Sequence, residues 1–84
     1  MSNTGVTAGD CRRAAALIVS HSRGDLEGVN AILCEANEAA RVGTLIVGLL
    51  EVMAATMPVI YTQLGQAAMS QAVLTLAQRE ASDE

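Results

Sequence analysis

The sequence predicts an all-α fold, a compact bundle of four short antiparallel helices in a single domain over residues 1–84. Three observations carry that prediction. Alanines and leucines recur at three- and four-residue spacing along the chain, the spacing at which side chains share one face of a helix. No run alternates apolar and polar residues long enough to make a half-buried strand. The only proline, Pro58, leaves long stretches without a helix breaker.

Helix one is expected over 8–23. Thr7 followed by Asp10 has the form of a capping box, Gly24 supplies the stop, and Asp25 supplies the next cap. On a helical wheel Cys11, Ala14, Ala15, Leu17, Ile18 and Val19 share one arc that includes His21, and Arg12, Arg13 and Ser20 lie opposite.

Helix two, 25–42, carries the clearest apolar stripe: Leu26, Val29, Ile32, Leu33, Ala36, Ala39 and Ala40. Its other side holds Glu27, Glu35, Glu38 and Arg41, and the three acids form a candidate docking face for a protein partner. A break at Gly43, with Thr44 as cap, separates it from helix three over 44–57, a continuous helix being the alternative. Pro58 either kinks the chain or opens helix four, 58–79. Residues 1–7 and 80–84 are expected to fray.

The segment Val42 to Ile60 raises the question of a membrane span. Its nine Leu, Ile and Val residues offer roughly −3 to −5 kcal/mol of insertion energy. Glu51 at the midpoint costs on the order of +3 kcal/mol, and Pro58 and two glycines weigh further against it. The wheel is also divided: Val42, Leu45, Ile46, Leu49, Leu50, Val52, Met53 and Met57 fall within half the circumference, with Arg41, Thr44, Gly48, Glu51 and Ala55 opposite. A lipid-facing helix needs no such division. The soluble, cytoplasmic reading is therefore preferred, with a small membrane protein using 42–60 as the alternative.

Composition excludes several functions. Net charge is −4, with five arginines and no lysine, which argues against a phosphate-binding surface and against nucleic acid as a partner. Two cysteines, Cys11 and Cys34, are too few for a disulfide scaffold and lack zinc-site spacing; they are read as a buried small residue and a half-exposed thiol. The polar start "MSNTGVTAGD" has no leader-peptide pattern. His21 suits the end of helix one by its charge alone, and Arg23-Gly24-Asp25 is a turn and not an adhesion motif. No nucleophile with its base, phosphate loop or metal cluster emerges, so neither enzyme activity nor a cofactor is expected.

From Val52 to Gln78 no residue is charged, which is more apolar surface than one small bundle is expected to cover. The chain is accordingly expected to be a homo-oligomer, a dimer first of all, with Leu49, Met53, Met57, Tyr61 and Leu64 at the interface. The run "GDLEGVNAILCEANEAARVGTLIVGLLEV", with "PVIYTQLG" and "AVLTLA" behind it, resembles short helical proteins of actinobacteria and their phages. That resemblance implies a small accessory protein that acts by binding, and it carries no site residues with it.

Overall fold

A computed structural model describes residues 5–83, which hold four α-helices and one 3-10 turn, with no strand among the described residues. The helices are α1 (Ala8–Ser22), α2 (Leu26–Glu38), α3 (Val42–Thr56) and α4 (Gln63–Asp83), and a 3-10 turn, Pro58–Tyr61, precedes α4. The all-α prediction is met. The described residues fall into two units dividing after Val52.

In the first unit, local chemistry sets the ends of α1 as the sequence suggested. The Thr7 hydroxyl accepts from the Asp10 N–H at 3.2 Å while the Asp10 carboxylate accepts from the Thr7 N–H at 2.9 Å, a reciprocal capping box. The helix ends in a Schellman turn: Gly24 sits at φ 69°, its N–H donates to the His21 carbonyl, and the Asp25 N–H donates to the Ser20 carbonyl. Asp25 then caps α2 by accepting from the Gly28 N–H at 2.9 Å.

The break between α2 and α3 lies elsewhere than expected. It falls at 39–41, and Gly43 and Thr44 are inside α3. The turn is a second Schellman motif, with Arg41 N–H to the Ala36 carbonyl at 2.8 Å and Ala40 N–H to the Asn37 carbonyl at 3.0 Å. Ala40 takes the left-handed position, φ 56°, that glycine usually fills. Arg41 in turn accepts from the Leu45 N–H and from the Thr44 hydroxyl, so it opens α3.

Among the described residues of this unit the buried apolar side chains are Ala14 from α1, Ala36 from α2 and Leu45 from α3, with Leu49 and Val52 packed against them. Gly48 is buried because α3 approaches the α1 backbone there: a Cβ would lie 3.3 Å from the carbonyl carbon and oxygen of Asp10.

In the second unit Met57 ends α3 at φ −134° and Pro58 begins the 3-10 turn, where its missing N–H and fixed φ cost nothing. Thr62 links turn to helix, its hydroxyl donating to the Val59 carbonyl at 2.6 Å and accepting from the Gly65 N–H at 3.2 Å. Helix four therefore starts at Gln63 and not at Pro58. The acidic end expected to fray from residue 80 is helical through Asp83; residues 1–4 and 84 lie outside the described residues. No residue of α4 is buried.

Candidate interaction surfaces

Asp10 has 0 % of its surface exposed, yet it is a carboxylate. Five hydrogen bonds satisfy it: Arg41 Nε to Oδ1 at 2.9 Å, Arg41 Nη2 to Oδ2 at 2.6 Å, Arg13 Nη1 to Oδ1 at 3.4 Å, and the Thr7 N–H and hydroxyl to Oδ2. The two-pronged Arg41 contact is the geometry that best offsets burial of a charge. Hydrogen bonds from Arg41 hold the Asp10 carboxyl far below the usual carboxylate range, against the opposing effect of burial and with help from Thr7. The same bond raises Arg41. Arg41 Nη2 also reaches the Gly5 carbonyl at 2.9 Å. This group joins the start of α1 to the turn between α2 and α3, and the wheel, which placed Arg41 on the polar side of helix two, did not anticipate it.

Of the three acids expected as a docking face, Glu35 is engaged within the chain. One of its oxygens, Oε1, accepts from Arg13 Nε at 2.7 Å and from Arg12 Nη2 at 2.9 Å. Those hydrogen bonds, Arg13 first, lower the Glu35 carboxyl against a smaller effect of burial. Arg13, expected opposite the apolar arc, is only 15 % exposed because it lies in the α1–α2 seam. Glu27 and Glu38 are exposed.

Between α1, α2 and α3 lies an open apolar groove of about 320 Å³, lined by Leu17, Ile18, His21, Val29, Leu33 and Leu49. Leu49, expected at an interface between copies, thus faces the interior of its own unit. His21, one of the lining residues, is exposed. Cys11 is half-buried and its thiol lies 3.9 Å from a Glu51 carboxylate oxygen, and Cys34 is exposed.

The roll of α3 decides which apolar residues remain outside. Arg41, Gly48 and Glu51, which the wheel set opposite the apolar arc, are the residues α3 turns toward α1. Leu45, Leu49 and Val52 from one half of the apolar arc meet the core. Val42, Ile46 and Leu50 from the other half are 40 %, 55 % and 50 % exposed, and Met53 is half-buried. In the second unit Met57, Tyr61 and Leu64 from the expected interface are exposed, Leu64 to 78 %, as are Val59, Met69, Val73, Leu74 and Leu76.

Among the described residues no helix is long and apolar enough to cross a membrane. The 42–60 segment is a 15-residue helix followed by a 3-10 turn; such a helix is about 22 Å long against a hydrocarbon core of roughly 30 Å. Comparison with protein-family models, with curated proteins and with solved structures finds no match to the chain.

Proposed function

We propose that this is a small, self-associating helical protein of the cytoplasm that acts by contacting another protein, an accessory factor of the kind the resemblance of Gly24–Val52 implies. One observation carries the reading: Ala14, Ala36 and Leu45 make up the buried apolar core, while Leu26, Ile46, Leu50, Leu64, Val73 and Leu76 are each at least half exposed. Full burial of a Leu or Val side chain stabilises by about 1.5–3 kcal/mol, so those side chains hold a large unused driving force. Val42, Ile46 and Leu50, one helical turn apart on α3, form an exposed apolar patch within one unit; such a patch on a small protein marks an interaction site, and a symmetric dimer is the commonest closed way for a chain to cover it.

The test is to express the chain without detergent, fractionate the lysate and measure the mass of the purified protein by light scattering. Recovery in the supernatant at a multiple of 8.7 kDa is the expected result. A single-chain mass at tens of micromolar, or a pellet released only by detergent, contradicts the proposal.

A further inference from the structure

We infer that the outward arc of α3, made by Val42, Ile46 and Leu50, is covered by the same arc of a second copy of this chain. The inference rests on the self-association reading and assigns it a surface. Three observations lead to it.

The first is spacing. Positions 42, 46 and 50 of the sequence follow steps of four along α3. Steps of four place side chains on one face, the pattern by which one helix presents a ridge to another, and its natural complement is a helix with the same pattern. At Gly43, beside the arc, a Cβ would meet nothing within 4 Å, so the neighbouring surface is open to close approach.

The second is charge. The chain carries −4 overall, so contacts between copies through its acidic faces would oppose like charges. The only charged residue of α3 is Glu51, and it is half-buried on the side that meets Cys11 of α1. The outward arc is therefore neutral, and two copies meet across it without like-charge repulsion. A pairing through the Glu27 and Glu38 side of α2 would oppose acid to acid.

The third is that the roll of α3 is fixed from behind. Gly48 sits against the Asp10 backbone and Arg41 grips the Asp10 carboxylate at the helix start, so α3 cannot turn its exposed leucine and isoleucine inward without breaking that fork. The arc is held ready for a partner, which lowers the ordering cost of association.

The experiment compares wild type with Ile46→Glu and Ile46→Ala by sedimentation, with far-UV circular dichroism on each. Ile46 is exposed, so both variants are expected to stay helical. Wild type should sediment as an oligomer, Ile46→Glu as a single chain, and Ile46→Ala as an oligomer with association weakened at least several-fold. Oligomers unchanged in both variants would overturn the α3 assignment and leave self-association standing on another surface, such as α4. A wild-type single chain would overturn the underlying reading as well.

Discussion

Asp10 and Arg41, thirty-one residues apart in sequence, share a two-pronged ion pair with both nitrogen–oxygen distances below 3 Å. Asp10 belongs to the capping box of α1, and Arg41 both closes the Schellman turn after α2 and accepts the first hydrogen bond of α3. One contact thus fixes three helix ends.

Breaking the pair from one side leaves the other charge without its partner, which costs more than the pair contributes when intact. Arg41→Met is expected to lower the thermal midpoint by on the order of 10 °C, and Asp10→Asn, which retains the capping oxygen, by less. Arg12→Ala should change little, because Arg12 is 64 % exposed and Arg13 keeps the Glu35 bond. Thermal melts of the three variants check the order; an Arg12→Ala effect as large as Arg41→Met would contradict it.

Acid should weaken the fold. The carboxyls of Asp10 and Glu35 are both held below their ordinary values of 3.8 and 4.5. A depressed carboxyl contributes stability that is present above its unfolded value and is lost as pH falls toward its folded one. Stability should therefore fall as pH drops below about 5 and continue falling to the acid extreme, since Asp10 lies furthest below its ordinary value. Denaturant titrations from pH 7 to 2 should show this fall, with a shallower slope in Asp10→Asn. A slope unchanged by that substitution would remove Asp10 from the account.

Ala40 occupies a left-handed conformation, φ 56°, that costs an alanine about 1–2 kcal/mol. Ala40→Gly removes that cost and loosens the unfolded chain, so a net gain of about 1 kcal/mol is expected. Gly24→Ala, at φ 69° in the equivalent turn, should lose a similar amount. Paired denaturant melts test both signs, and destabilisation by Ala40→Gly would contradict the turn geometry.

Two glycines are held by contacts. A Cβ at Gly65 would collide with the carbonyl oxygens of Val59 and Ile60, so Gly65→Ala should displace the Pro58–Tyr61 turn from α4. At Gly48 the neighbour is the Asp10 backbone, and Gly48→Val should cost about 1–3 kcal/mol through overpacking. Amide chemical shifts of residues 58–65 and 8–12 report the two changes separately; unchanged shifts in either segment would show the space to be there.

The parts of this architecture that depend on adjacent residues were legible in the sequence. Thr7 with Asp10, and Gly24 with Asp25, announce their helix ends because capping and left-handed turns are chemistry among neighbours. The α2–α3 turn was not legible, because Ala40 stands where glycine would have marked it, and Gly43 drew the expected break two residues too late. The wheel found the apolar arc of α3 but could not say which half faces inward. That choice is made by Gly48 against α1 and by the Asp10–Arg41 pair, contacts with no trace in local spacing. Leu49, expected at an interface, packs against the core of its own unit, while Ile46 and Leu50 are exposed.

The central claim is that two copies meet across α3, and a distance between copies tests it most directly. With Cys11 and Cys34 replaced by serine, Gly43→Cys carries a nitroxide beside the arc at an exposed position. If the α3 arcs face each other, parallel or antiparallel, the two labels lie within about 25 Å, given 1.5 Å of rise per residue and 8–10 Å between helix axes. Pulsed dipolar spectroscopy should show one such distance, and it should vanish when Ile46→Glu is added. An oligomer whose labels lie beyond about 40 Å, well outside what either orientation permits, would place the contact elsewhere and contradict the account.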